Sequence, residues 1–302
     1  MSLKKVTLVG VWVQASGNVG AAVLPELLKS DLDLTILSRE GSSAIFPPGA
    51  KVVRTDYSED SLIKVLVGQD AVVSMLPIVA LGEQQKIVEA AIKAGVKRFI
   101  PSEYGSDSAS DEVIAAVPFF QPKKAHLDWL ASKEDVLSWT AIITGPFFDW
   151  GLKLGMTGFN LATKTATLVD GGKTRFTASN TAQIGRAIVA VLQYSDETKN
   201  QLVFTESFTT TQLEVLASLE KLTGEKWKTV EVSSQAIRED GFSKLGKGEI
   251  MEGGAAVIMA LVLGEGGLED HTHVKGGIWN DRLGLKTESI DETVKSVLSL
   301  WC

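Results

Sequence analysis

The sequence predicts an α/β fold: a doubly wound parallel sheet followed by a smaller mixed α/β region. Three observations carry that expectation. Short β-branched runs alternate with helical patterns through the first half, as parallel strands joined by crossover helices require. A glycine-rich turn follows the first apolar run. After Pro146 the alternation breaks into shorter, mixed elements with aromatic and glycine clusters such as GPFFDWGLKLG.

Six strands are expected in order: KVTLV (Lys5 to Val9), DLTIL (Asp33 to Leu37), AKVVR (Ala50 to Arg54), DAVVSML (Asp70 to Leu76), KRFIP (Lys97 to Pro101) and WTAIIT (Trp139 to Thr144). Helical patterns separate most of them. EQQKIVEAAIKAG is the clearest, with Ile87, Ala90, Ala91 and Ala94 at three-and-four spacing and Gly95 as a C-terminal stop. The helix after the glycine turn carries Pro25 about two turns in, which removes a backbone donor at a cost of roughly 3 kcal/mol unless packing accommodates it. Residues 1–146 are expected to form a nucleotide-binding domain and 147–302 a substrate-binding region, with room for some of its elements to return to the main sheet. That region should contain a strand pair around TATLVDGGKTRF, a helix TAQIGRAIVAVLQ, a strand QLVFTES and a helix TTTQLEVLASLEKLTG.

The stretch VTLVGVWVQASGNVG sets the functional question. A Rossmann-type turn needs closely spaced glycines, for a tight turn, for backbone approach to a pyrophosphate and for helix packing. Gly17 and Gly20 have that spacing, and Gly10 completes it if Val11, Trp12, Val13 and Gln14 are set aside. These four residues are expected to bulge outward, leaving the amides of Ser16, Gly17, Asn18 and Val19 for pyrophosphate; the alternative is that they fill the site and weaken binding. At the end of the second strand, TILSRE offers Ser38 and Arg39 where an acid would hold the ribose hydroxyls of NAD. A guanidinium there suits the extra phosphate of NADP. Met75, Leu76 and Pro77 after the fourth strand, and Pro101, Ser102 and Glu103 after the fifth, are expected to line the ribose and nicotinamide.

A tyrosine with lysine four residues on is absent, because Ser61, Ser108 and Thr198 follow Tyr57, Tyr104 and Tyr194 at that distance. The chain offers Lys123 and Lys124 instead, opening a helix in FFQPKKAHLDWL, with His126 one turn on. Tyr104, Phe147, Phe148, Trp150 and Met156 are candidates for a flat, hydrophobic substrate pocket, with Phe159 and Trp279 weaker ones. His271, His273 and Asp270 share an extended segment, yet no third ligand has motif spacing, so a loop or pocket role is expected rather than a metal.

Composition excludes several classes. A net charge of −7 without a run of Lys or Arg argues against nucleic acid and leaves a small molecule as the default partner. The apolar stretch GGAAVIMALVLGEGG falls short of the ~20 residues of a membrane span and reads as a buried helix. No signal-peptide pattern precedes the first strand, so a cytoplasmic location is expected. The single cysteine, Cys302, excludes an internal disulfide and argues against structural zinc.

The combination of FIPSEYG, the following lysine, and WTAIITGPFFDWG resembles the isoflavone reductase-like and NmrA-like group of atypical short-chain dehydrogenases, most closely its fungal oxidoreductases. The resemblance runs over nearly the whole chain. It implies an NADPH site at the glycine turn, a 2′-phosphate contact at Arg39, and a catalytic lysine, for which the family's spacing to Leu130 selects Lys123, with Lys124 as runner-up. Family arginines on the same helix are replaced by Leu127 and Asp128, so the lysine has a less basic setting. The implied activity is NADPH-dependent reduction of a conjugated C=C, C=N or C=O bond in an aromatic or alkaloid-like secondary metabolite. The alternatives are NADP-dependent isomerisation or epimerisation without net redox, and a non-catalytic NADP-binding regulator; a homodimer is a candidate assembly.

Overall fold

A computed structural model describes residues 3–10, 18–77 and 80–300. Among them, seven strands form one parallel sheet: β1 (Lys5–Val9), β2 (Asp33–Arg39), β3 (Lys51–Thr55), β4 (Ala71–Ser74), β5 (Arg98–Ile100), β6 (Ser138–Ile143) and β10 (Gln201–Phe204). Their order is β10-β6-β5-β4-β1-β2-β3, and every neighbouring pair is parallel. The strand order reverses between β1 and β4, and at such a switch point the crevice beyond the strand ends takes a ligand.

Alternation along each strand feeds two cores. Val6, Leu8, Leu34, Ile36, Ala71 and Val73 pack on one face against α1 (Asn18–Leu28) and α7 (Thr181–Gln193). Val9, Leu37, Val72 and Phe99 pack on the other against α2 (Glu59–Leu66), α3 (Leu81–Lys93) and α5 (Gln121–Ala131). Burial on both faces explains why these strands read as unbroken apolar runs. Pro25 sits inside α1, which continues past it to Leu28.

The region after residue 146 is interleaved with the first. β10 extends the main sheet beside β6, and α7 packs on α1. The remaining elements build a third core: α6 (Phe148–Lys153), β7 (Phe159–Asn160), β8 (Thr165–Val169), β9 (Phe176–Ala178), β11 (Phe208–Thr210), α8 (Gln212–Thr223), β12 (Lys228–Val232) and α11 (Ile290–Ser299). α9 (Ser234–Gly246) and α10 (Ile250–Leu263) form a helical pair that packs on α4 (Asp111–Ala116) through Val113, Val257 and Leu261. Among the described residues no helix is long and apolar enough to cross a membrane.

One expectation is corrected here. TATLVDGGKTRF does contain two strands, but they do not pair with each other: β8 joins β12 and β7, while β9 joins β11. Three consecutive left-handed residues, Asp170, Gly171 and Gly172, turn the chain out of register after β8. Gln212 then takes the strand-end hydrogen bonds a hairpin would use, accepting from the Val169 amide at 2.8 Å and donating to the Thr167 carbonyl at 2.9 Å.

Candidate functional site

The chain crosses from strand to loop along one edge of the sheet, and most candidate residues gather there. Gly10 follows β1 with φ +81°, and a Cβ on it would lie 2.8 Å from the Met75 carbonyl carbon. Only glycine permits that junction. The Ser102 hydroxyl donates to the Leu76 carbonyl at 2.7 Å, and its amide donates to Gln84 of α3 at 2.9 Å, so the ends of β4 and β5 are tied together. Pro101 is buried beside them, while Pro77 is exposed. Asn18, Val19 and Gly20 open α1. The four inserted residues, Val11 to Gln14, and the turn residues Ser16 and Gly17 lie outside the described residues, so the outward bulge remains an expectation.

Beyond β2 and β3 lies a polar cavity of about 270 Å³ lined by Arg39, Glu40, Thr55, Asp56, Tyr57, Glu83 and Lys86. Arg39 is 59% exposed, lies over the Tyr57 ring at 5.2 Å and pairs loosely with Glu83 at 3.9 Å. Glu83 also pairs with Lys86 at 3.1 Å, so one carboxylate holds two cations at the cavity. Ser38 is buried and faces Arg54, whose guanidinium holds the following loop through the Ser42 and Ala44 carbonyls. The two cations stand against three carboxylates, so an anion here would be recognised by paired donors rather than by net charge.

The two lysines separate cleanly. Lys123 points back from α5 to the end of β5: its ammonium donates to the Glu103 carbonyl at 3.0 Å, lies 3.3 Å from Glu103 Oε2 and rests over Phe120 at 5.7 Å. The Lys123 side chain is 11% exposed and that of Glu103 fully buried. The Ser108 hydroxyl donates to Glu103 Oε2. Lys124 instead donates to the Ala109 carbonyl at 2.8 Å and pairs with Asp111 at 3.3 Å, securing the start of α4. His126 is buried against Trp129, and burial pushes it down to about 4.

Sequence reasoning missed Glu269. It is fully buried, and burial raises its carboxyl to about 8. His271, two residues on, is buried too, with Nε2 3.6 Å from Glu269 Oε2, whereas His273 is exposed. The segment is a tight helical turn, His271–His273, rather than the expected extended stretch, so the two histidines diverge. Among the described residues no group of three His, Cys, Asp or Glu could hold a metal. The EDHTH motif drew attention to these histidines, but no spacing signal shows that Glu269 is buried.

The aromatic candidates disperse. Phe148 and Phe159 are fully buried in the third core, edge-to-face with Phe208 and Trp227. Phe147, half-buried, bridges to Ser179 beside the β6 end. Trp279 packs on the first core with Arg282 over its ring, and Met156 is half-buried past α6. Tyr104 is buried at the β5 end, its hydroxyl raised by burial and unmatched. Trp150 lines a groove of about 920 Å³ between α1, α6, α7 and α11, to which neither α5 nor the β4 and β5 ends contribute.

The sheet order and the strand-end crevice define a dinucleotide-type Rossmann fold. A sequence profile described as the NmrA-like family matches residues 4–245, and the chain belongs to that family. It is 34% identical to "Oxidoreductase poxI" of Penicillium oxalicum over 95% of this chain and 93% of that protein. It is 32% identical to "Oxidoreductase aprR" of Aspergillus flavus over 97% and 99%. Among solved structures, "AtPrR2 with NADP+ and (+)pinoresinol" superposes with a TM-score of 0.80 at 20% identity over 98% of this chain and 99% of that one. A leucoanthocyanidin reductase–NADPH complex from Vitis vinifera gives 0.78 at 18% over 97% and 99%.

Proposed function

We propose that the protein is an NADPH-dependent reductase of a conjugated C=C, C=N or C=O bond in an aromatic or alkaloid-like secondary metabolite, with Lys123 as the proton donor. The observation that carries this reading is the buried Lys123 ammonium, held at the β5 end beside the switch-point crevice. Its kinship with proteins named oxidoreductases, and its fold likeness to NADP-bound reductases, support the same class.

The residues present fit the cofactor. Gly10 brings the β1 turn against the β4 end, and Arg39 with Lys86 supplies donors for a 2′-phosphate, with Tyr57 steadying the guanidinium. When bound, NADPH supplies the hydride. The chain then has three tasks: to hold the acceptor bond at the β5 and β6 ends, to exclude water, and to deliver a proton from Lys123 Nζ to the atom that gains charge. Glu103 orients that ammonium through two contacts, and its own carboxylate is fixed by Ser108. Lys124, spent on the Ala109 carbonyl and Asp111, is left a structural role. The reading makes the protein cytoplasmic, with a homodimer as the assembly to test by light scattering.

Fluorescence titration with NADPH and NADH tests the cofactor assignment. Charge-assisted phosphate contacts of about 1.5–3 kcal/mol predict a preference for NADPH of roughly 10- to 100-fold. Equal affinities would remove Arg39 from the site. Consumption of NADPH against a panel of conjugated aromatic carbonyls and imines separates a reductase from an isomerase, and tight binding without turnover on any of them would favour a regulator.

A further inference from the structure

We propose that Glu83 is a cofactor-discriminating residue, supplying from α3 the acid that Arg39 replaces at the end of β2. Its carboxylate accepts the free 2′-hydroxyl of NADH, which limits the preference for NADPH that Arg39 creates. The proposal rests on reading the β2 end as the seat of the cofactor's adenosine ribose and adds a second, opposing reader of the same ring position.

Three carboxylates line the cavity beyond β2 and β3, and their contacts set them apart. Asp56 is committed to the start of α2, accepting from the Ser58 amide at 3.0 Å and the Ser58 hydroxyl at 2.8 Å. Glu40 is exposed and, among the described residues, pairs with neither cation. Glu83 meets both: its Oε2 lies 3.9 Å from a terminal nitrogen of Arg39, and its Oε1 lies 3.1 Å from Lys86 Nζ. An ionised carboxylate has about four acceptor sites, so two cationic neighbours leave room for a hydroxyl donor.

The neighbours of this carboxylate are held in place. Gln84, the next residue of α3, is fully buried, and its Oε1 accepts from the Ser102 amide at 2.9 Å, which pins the first turn of the helix to the β5 end. Adjacent helical residues differ by about 100° in direction, so with Gln84 turned inward Glu83 stays one-third exposed, on the flank that meets Arg39. On the other side stands Tyr57 with φ +61°, a left-handed conformation that an aromatic residue adopts only where its surroundings impose it. The Tyr57 amide donates to the Thr55 hydroxyl at 3.2 Å, its phenol donates to the Leu37 carbonyl at 3.4 Å, and its ring carries the Arg39 guanidinium at 5.2 Å. The guanidinium is therefore held between an anchored ring and an anchored carboxylate.

A group at the ribose 2′ position thus meets a cation and an anion together. A 2′-phosphate must separate Glu83 from its cations and then lie beside a second negative charge. A 2′-hydroxyl leaves both ion pairs in place and donates to Glu83, as it does to the acid of an NAD site. Glu83 favours NADH, and Arg39 favours NADPH.

Fluorescence titration of the intact protein with NADPH and NADH tests this without a substrate. Glu83→Ala should weaken NADH about tenfold and tighten NADPH about threefold, so the preference for NADPH grows by more than about tenfold. Glu83→Gln keeps a neutral acceptor, so it should tighten NADPH to the same degree and lose less affinity for NADH. Competition against bound NADPH by ADP and by adenosine 2′,5′-bisphosphate confines the readout to the adenosine end. There Glu83→Ala should weaken the first and strengthen the second, and Glu40→Ala should change neither. NADH affinity unchanged in Glu83→Ala, a loss that follows Glu40→Ala instead, or an equal loss for both nucleotides would overturn the proposal. A wild type that binds neither nucleotide, or an Arg39→Ala that keeps the full preference for NADPH, would instead overturn the reading of the adenosine site, so the two failures are distinguishable.

Discussion

The two cationic ends of the crevice are built on opposite principles. At the β2 end, Arg39 and Lys86 stand in the open, sharing one glutamate that Arg39 meets only loosely. At the β5 end, Lys123 is enclosed, bonded to a backbone carbonyl and matched to a carboxylate that is itself fully buried. Water screens the first pair, so its charges add little to folding and are free to exchange Glu83 for a ligand. The second group cannot exchange partners without leaving a charge stranded, so it is preorganised. The exposed end is suited to recognition and the enclosed end to chemistry.

Substitutions at each end should break that contrast in different observables. Lys123→Ala should lower NADPH-dependent turnover by on the order of 10²- to 10⁴-fold while NADPH affinity stays within a few-fold. It should also destabilise the fold by about 3–5 kcal/mol in urea titrations, because Glu103 is left buried and unpaired. Arg39→Ala should cost roughly 10- to 100-fold in NADPH affinity and leave NADH affinity unchanged. Its melting temperature should barely move, since the side chain is mostly exposed. Lys124→Ala, which removes one carbonyl contact and a pair with a largely exposed aspartate, should change turnover less than about twofold and stability by under about 1 kcal/mol.

Buried titratable groups should also leave a mark on stability against pH. Glu269 holds its proton in the folded state up to about 8 but loses it near 4.5 when unfolded, so between those values the folded state binds more protons and stability falls as pH rises. His126 and His271 work in the opposite direction. Each is neutral down to about 4 when folded and charges near 6.5 when unfolded, so stability rises with pH between those values. Two protons outweigh one below 6.5, and only Glu269 acts above it. These three groups therefore predict a maximum near pH 6.5, and Glu269→Gln should flatten the decline toward pH 8 in thermal melts. An unchanged decline would remove Glu269 as its source.

The parallel strands were legible because burial on both faces leaves an apolar run that few other elements produce. Their boundaries match to within a few residues, as with Lys5–Val9 and Ser138–Ile143. The choice between Lys123 and Lys124 was not legible. Adjacent residues on a helix differ by about 100° in direction, and only the position of α5 against the β5 loop decides which ammonium meets Glu103. Pairing of the strands in TATLVDGGKTRF was hidden for a related reason, since the competing partner, Gln212, lies on another helix.

The sequence by itself determined the alternation of strand and helix, the glycine junction at Gly10, the cation after β2, and a lysine pair placed to enter the crevice. Those properties depend on residue type and local spacing, which the chain carries directly. Tertiary structure alone decided that β10 completes the sheet, that Phe148 belongs to a core, that His271 and His273 diverge, and that Glu269 is buried beside His271. Each of these depends on which distant segment excludes water from a group, and burial, not spacing, sets the charge that group carries.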